Sequence, residues 1–152
     1  MDTGRRPNNH IPAGEDLIPS EIKIQILAHL WNKNSGTATE LICNHIKSKR
    51  KIYTTRHSEK EEMWIYDDGI YLPHAETYIK EVCRDLFGEK ISTYLFNIVI
   101  LKIQADTYIL QEVFFKNENK ELIPVQNGIL NVKTRGLFPF DEKYKFFNKL
   151  PV

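Results

Sequence analysis

The clearest alternation of apolar and polar positions lies between residues 75 and 88. Apolar side chains recur there at helical spacing, at Ile79, Val82, Cys83 and Leu86. The charged residues between them fall on the opposite face. Gly88 then stands where a glycine usually follows the end of a helix. The pattern predicts an amphipathic helix over Ala75–Phe87.

An earlier helix is predicted from Ser20, a candidate N-cap. Apolar residues follow helical spacing up to Trp31, and Asn34-Ser35-Gly36 interrupts the pattern. The isoleucines also occupy every second position over residues 22–26, which leaves a strand start open.

A second early helix is indicated by Thr37 and Glu40, which have the spacing of a capping box. Its apolar face continues to about Lys47. Two successive helices keep a helix-turn-helix arrangement open.

Strands are predicted between the second early helix and the helix over Ala75–Phe87. Residues 51–55 are rich in β-formers, and Met63–Tyr66 and Ile70–Leu72 flank Asp68-Gly69, a strong hairpin signal.

A second hairpin is predicted at Asn127-Gly128, because both residues tolerate a positive φ. Its first strand contains Pro124, which donates no ladder hydrogen bond and therefore belongs on a sheet edge. Lys133–Gly136 is predicted to form the next turn.

The run from Tyr94 to Ile103 is apolar on nearly every side, as is typical of a buried central element. Its length favours a helix, whereas its β-branched residues leave a strand open. Thr107–Phe115 continues as a helix or a strand, and Lys116–Glu121 is a polar loop. The predicted fold class is α+β, with helices packed on a small antiparallel sheet, and winged-helix-like elements stay open.

Length and composition favour one domain. The 152 residues are 41% hydrophobic, enough for one core, which we expect over residues 20–152. Residues 1–19 are polar with scattered proline and glycine, so we expect a flexible leader there. Two cysteines and no secretion signal favour a reduced, cytoplasmic protein. No apolar run approaches ~18 residues, so we expect no membrane partner.

Catalytic motifs are scarce. No glycine fits the phosphate-binding loop Gly-x-x-x-x-Gly-Lys-Ser/Thr, so the chain is not an ATP-driven motor and no cofactor is expected. Asp67-Asp68 is the only adjacent acidic pair in a recognisable context, and turn formation explains it better than metal binding. Cys43-Asn44-His45 lies on a predicted helix, where positions i and i+2 do not share a face, so zinc is not expected. A Cys–His nucleophile stays open.

A basic segment is the best candidate for nucleic-acid binding, because the net charge of +1 gives no argument from the total. Five cations and no acid occur over residues 47–57, namely Lys47, Lys49, Arg50, Lys51 and Arg56. Phosphates suit them, and Tyr53 would stack on a base. A solvated helix end is the competing interpretation. Lys133 and Arg135 form a second candidate.

Four motifs in order carry a family resemblance. Trp-Ile-Tyr-Asp-Asp-Gly-Ile-Tyr (64–71) precedes a predicted helix, and Ile-Pro-Val-Gln-Asn-Gly-Ile-Leu-Asn-Val (123–132) follows later. Leu-Phe-Pro-Phe-Asp (137–141) and Phe-Phe-Asn-Lys-Leu-Pro-Val (146–152) come next. This order resembles the segment before the motor in phage and plasmid DNA primase-helicases, the superfamily 3 helicases related to the poxvirus primase-ATPase. The resemblance covers about residues 50 to 152.

The resemblance implies a non-catalytic module of a mobile-element replication protein. Such a module would bind DNA with low specificity, single-stranded or duplex, or couple a primase to a downstream hexameric helicase motor that forms the oligomer. Two alternatives stay open. One is a free-standing winged-helix-like transcription regulator, with the capping-box helix in the major groove. The other is a protein interaction module with exposed aromatics at Trp64, Tyr66 and Tyr71.

Overall fold

The computed structural model describes residues 11–57, 60–90 and 92–151, which contain helices and two antiparallel sheets. The helices are α1 (Ser20–Trp31), α2 (Ser35–Lys49), α3 (Ala75–Phe87), α4 (Thr93–Thr107) and α5 (Gln111–Phe114). The strands are β1 (Ile52–His57), β2 (Lys60–Asp67), β3 (Ile70–Leu72), β4 (Leu122–Val125), β5 (Gly128–Asn131) and β6 (Leu137–Phe138). The predicted α+β class is confirmed. None of the helices within these ranges is long and apolar enough to cross a membrane.

The chain divides into two compact units, where one domain was expected over residues 20–152. Unit 1 consists of Met1–Lys49 and Glu76–Asp106, and is helical in its described part. Unit 2 consists of Arg50–Ala75 and Thr107–Val152, and holds both sheets. All four motifs that carry the family resemblance lie in unit 2.

The helices of unit 1 begin and end close to the predicted positions. Pro19, with an extended backbone, takes the N-cap position of α1 that was predicted for Ser20. The helix α2 begins at Ser35, before the predicted capping box, and the Asn34 side chain accepts a hydrogen bond from the Thr37 N–H (3.4 Å). Asparagine is among the strongest N-cap residues, so the helix starts at the earlier signal.

The described part of the expected leader is packed within unit 1. Asp16 is 1% exposed, and its carboxylate accepts hydrogen bonds from the Tyr78 hydroxyl and the Ala13 N–H, both at 2.9 Å. The His45 Nε2–H donates to the Asp16 carbonyl (2.9 Å), and Ile18 is buried. Buried polar groups persist when they are hydrogen-bonded, so this network fixes residues 11–19. Residues 1–10 of the expected leader lie outside the described residues.

The apolar run after residue 92 is a helix, α4, but it is not a buried central element. Val99 and Ile103 are fully buried, whereas Tyr94 is 66% and Leu101 63% exposed. The Val99 carbonyl accepts a weak hydrogen bond from the Cys43 thiol on α2 (3.7 Å). Only one stripe of the helix therefore packs within unit 1, and periodicity alone does not reveal how many sides are covered.

The first sheet of unit 2 has the order β1-β2-β3 and is antiparallel throughout. Asp68 and Gly69 connect β2 to β3 with φ of 50° and 95°, which matches the two positive-φ positions of a type I′ turn. The predicted hairpin is confirmed. On one face, cross-strand pairs bring Tyr53 opposite Trp64 and Tyr66 opposite Tyr71.

The second sheet has the order β4-β5-β6, and Pro124 lies on its edge strand as predicted. Val125 pairs with Gly128, so the turn residues are Gln126 and Asn127, one position earlier than predicted. Gly128 has φ of 151°, and a Cβ there would collide with the Phe138 carbonyl oxygen on β6. The close approach of β6 is what requires glycine at this position.

The C-terminal segment, residues 139–151, is fastened to both sheets of unit 2. The Tyr71 N–H donates to the Phe146 carbonyl (2.8 Å), and the Leu150 N–H donates to the Pro124 carbonyl (2.9 Å). The Lys149 ammonium donates to the Asp68 carbonyl (2.7 Å) and lies 2.8 Å from its carboxylate. These bonds hold residues 146–150 against both sheets.

Candidate nucleic-acid interface

The basic segment predicted from the sequence is divided by ion pairs. Lys47 Nζ lies 2.6 Å from the carboxylate of Asp106, and Arg50 Nη1 lies 3.0 Å from Asp67. The side chains of Arg50 and Asp67 are only 17% and 7% exposed.

Arg56 is more loosely paired, 3.8 Å from the carboxylate of Glu61. Three of the five cations therefore have acidic partners, although residues 47–57 themselves contain no acid. Their acidic partners lie on α4 and β2, outside residues 47–57. A count of charges within that segment therefore does not include them.

The two remaining cations of the segment are exposed but belong to different units. Lys49 ends α2 in unit 1, and Lys51 precedes β1 in unit 2. The second predicted pair, Lys133 and Arg135, is exposed on the turn between β5 and β6. The Asn131 side chain shapes this turn by accepting hydrogen bonds from the N–H groups of Lys133 and Thr134.

Tyr53 is half-buried and is not an open stacking platform. Its ring centroid lies 5.6 Å from that of Tyr71 and 5.3 Å from that of Phe114. Two ammonium groups also approach it, Lys51 Nζ at 5.0 Å and Lys145 Nζ at 5.5 Å from the centroid. The π face of an aromatic ring attracts cations at such distances. Tyr53 therefore contacts two lysines that are far apart from each other in the sequence.

Lys143 extends this group along the C-terminal segment. Its ammonium lies 5.0 Å from the centroid of Tyr144, and the side chains of Lys143, Lys145 and Lys116 line a cavity of about 170 Å³. Glu118 also lines the cavity and forms an ion pair with Lys116 (3.5 Å). We call Lys51, Lys143 and Lys145, with Tyr53, the lysine site.

Sequence reasoning missed Lys143 and Lys145, although a signal was available. Basic and aromatic residues alternate from Lys143 to Phe146, a composition that suits single-stranded nucleic acids. The motifs quoted for the resemblance end at Asp141 and resume at Phe146, so they do not include either lysine.

A second cavity, of about 230 Å³, lies beside the lysine site. We call it the aromatic cavity. Three phenylalanines, Phe115, Phe146 and Phe147, and two asparagines, Asn117 and Asn148, are among the residues that line it. Lys145 lines both cavities. Phe115 and Phe147 also contact each other, with centroids 5.1 Å apart.

The aromatics proposed for an interaction module are packed instead. Tyr71 is 1% exposed, and its hydroxyl donates to the Glu142 carbonyl (2.6 Å). The Trp64 indole N–H donates to the Thr55 hydroxyl (3.1 Å), and the Tyr66 hydroxyl is buried with no partner among the described atoms. Burial raises the pKa of Tyr66 to about 12, and the carboxylates of Asp141, Glu142 and Asp68 act in the same direction.

The thiols are unsuited to nucleophilic chemistry. Burial raises the pKa of Cys43 to about 11 and that of Cys83 to about 12, so both stay protonated at neutral pH. Over the described ranges, no three His, Cys, Asp or Glu residues are grouped to hold a metal ion. Asp67 faces Arg50 and Asp68 forms the turn, so the two acids serve separate structural roles.

Known families do not identify the chain. No model of a protein family matches it, and no curated protein matches it in sequence. Its site must be interpreted from its own residues.

Proposed function

We propose that this chain is a non-catalytic nucleic-acid-binding module, and that the lysine site of unit 2 holds the phosphates of single-stranded DNA. The observation that carries the proposal is the convergence of Lys51 and Lys145 on the Tyr53 ring. No carboxylate in the described parts of the chain forms an ion pair with either lysine. Two ammonium groups at one ring, neither in an ion pair with a carboxylate, can be neutralised by an anion, and a phosphodiester supplies one negative charge per link.

The transcription-regulator alternative fits the helices less well. Six residues of α2 are buried, and Thr37, Glu40, Asn44 and Ser48 form an exposed stripe along it. The exposed cation of α2, Lys49, is the last residue of the helix and lies outside this stripe. Glu40 is already paired with Lys102 (3.0 Å). A recognition helix needs base-reading and phosphate-binding side chains along its exposed face, so unit 2 is the better candidate.

The biological setting in this proposal is replication by a mobile element, with the module beside a hexameric helicase motor. It is supported by the order of the four motifs in unit 2. The reading frame beyond Val152 tests the setting: a Walker A motif there supports it, whereas a stop codon contradicts it.

The phosphate contacts are tested by fluorescence anisotropy with labelled single-stranded and duplex DNA across a salt series. If the three lysines each contact a phosphate, the slope of log affinity against log salt for single strands is about −2, from roughly −0.7 per contact. In Lys51→Ala/Lys145→Ala the slope should shrink to about a third. Lys120→Ala, an exposed lysine on a turn of unit 2, is the matched control and should keep the wild-type slope.

An unchanged slope in the double variant would contradict the lysine site. Absence of binding at low salt would contradict the nucleic-acid role and favour an interaction module. Sequence-selective duplex binding would favour the regulator.

A further inference from the structure

The aromatic cavity has the chemistry of a site for one planar heteroaromatic ring. Phe115, Phe146 and Phe147 offer apolar ring surface, and the amides of Asn117 and Asn148 each offer a carbonyl acceptor and an NH₂ donor. A nucleobase has the matching surfaces, a π face and an edge that carries donors and acceptors. At about 230 Å³ the cavity is smaller than the pockets that hold drug-sized ligands, so its size suits a single base.

Lys145 connects this cavity to the lysine site. Lys145 lines the aromatic cavity, and its ammonium lies 5.5 Å from the centroid of the Tyr53 ring, which Lys51 also approaches. In a nucleotide the base and the phosphate are likewise joined through one sugar. A base in the aromatic cavity would therefore keep its phosphate next to a cation.

The backbone around the cavity is held in place before any ligand arrives. The Phe146 carbonyl is bonded to β3 and the Leu150 N–H to β4, so the segment that carries Phe147 and Asn148 is fixed on both sides. Binding to such a segment does not require it to be ordered first, which lowers the entropic cost of binding.

We propose that the aromatic cavity takes one unpaired base of the strand whose phosphates contact the lysine site. This inference rests on the proposed function and adds a selectivity to it. A paired and stacked base of a duplex cannot enter, so the module binds single strands more tightly than duplex. Because every base has a π face, the cavity accepts different bases.

The test compares two labelled oligonucleotides of equal length, one intact and one with every base replaced by an abasic analogue. Both carry the same phosphates, so only the intact strand can fill the aromatic cavity. Wild type should bind the intact strand at least about fivefold more tightly, the lower end of measured base-stacking contributions. Phe115→Leu and Asn148→Ala should each reduce this ratio without changing the salt slope.

Two controls separate the outcomes. Trp31→Ala removes an aromatic that is 87% exposed in unit 1 and should leave the ratio unchanged. Lys51→Ala/Lys145→Ala should weaken binding of both strands. Asn148 is exposed and carries little of the packing, so its variant stays informative if Phe115→Leu fails to fold.

Equal affinity of wild type for intact and abasic strands would overturn the base site and leave the phosphate contacts standing. Absence of binding to either strand would overturn both proposals. A wild-type ratio retained in both Phe115→Leu and Asn148→Ala would place the base elsewhere and also overturn the inference.

Discussion

At the scale of single residues, the sequence predicts most where the backbone conformation is unusual. Asp68-Gly69 and Gly128 were singled out because they tolerate a positive φ, and all three residues adopt one. The second turn lies one residue earlier than predicted, because Gly128 faces the Phe138 carbonyl of β6 instead of closing the turn. Phe138 lies ten residues further along the chain than Gly128. Rules for two-residue turns consider only the residues of the turn, so they do not include this contact.

Two glycines provide a matched pair of substitutions. Gly128→Val should lower the free energy of unfolding by more than ~1 kcal/mol, because it combines a strained φ with a collision against backbone. Gly36→Ala, in α2 with no atom near its would-be Cβ, should instead raise stability by roughly 0.5 to 1 kcal/mol. Urea unfolding measures both. An unchanged midpoint for Gly128→Val would contradict the packing of β6 against β5.

At the scale of elements, periodicity predicted the helix α3 and the β2–β3 hairpin, but it did not predict burial. The helix α4 is apolar on nearly all sides and still exposes Tyr94 and Leu101. The basic segment contains no acid, yet Arg50 forms an ion pair with Asp67 from β2. Both differences depend on which elements meet, and a single sequence does not specify that.

The C-terminal segment provides a test at this scale. The Lys149 side chain is 5% exposed and bonds the carbonyl and the carboxylate of Asp68 in the β2–β3 turn. Lys149→Ala should lower the free energy of unfolding by ~1.5 to 3 kcal/mol, the range for hydrogen bonds to charged groups. Lys120→Ala should change it by less than ~0.5 kcal/mol. Equal melting temperatures for the two variants would show that the link does not stabilise unit 2.

At the scale of the whole molecule, the α+β class was predictable and the division into two units was not. Each unit is assembled from two separated stretches of chain, so no local change of composition marks the boundary. The candidate site was predictable only in part. Lys51 and Tyr53 were named, but Lys145 joins them through contacts between residues almost a hundred positions apart.

Alkaline pH should destabilise the whole molecule. The folded-state pKa of Tyr66 is about 12 and that of Cys83 about 12, both above their ordinary values, so the unfolded chain ionises first as the pH rises. Their contribution to stability is fully present below the unfolded pKa values and is lost as the pH passes through the folded ones. Melting temperatures from about pH 8 upwards should therefore fall.

Tyr66→Phe isolates one of these groups. It removes a buried hydroxyl without a partner among the described atoms, so stability at neutral pH should stay equal or rise, and the alkaline loss should be smaller than in wild type. Tyr94→Phe, with an exposed ring, is the control and should keep the wild-type pH profile. An alkaline loss as steep in Tyr66→Phe as in wild type would contradict the burial of this hydroxyl.

The fastening of Lys149 to the Asp68 turn also sets an order of events during synthesis on the ribosome. Every stretch of unit 1 has been translated once Asp106 is added, so that unit can close early. The β2–β3 hairpin is translated before Asp106, whereas its partners Phe146 and Lys149 are translated only after unit 1 is complete. Until then the nascent β2–β3 hairpin lacks these partners. The lysine site and the aromatic cavity therefore form only after the fourth motif, residues 146–152, has been translated.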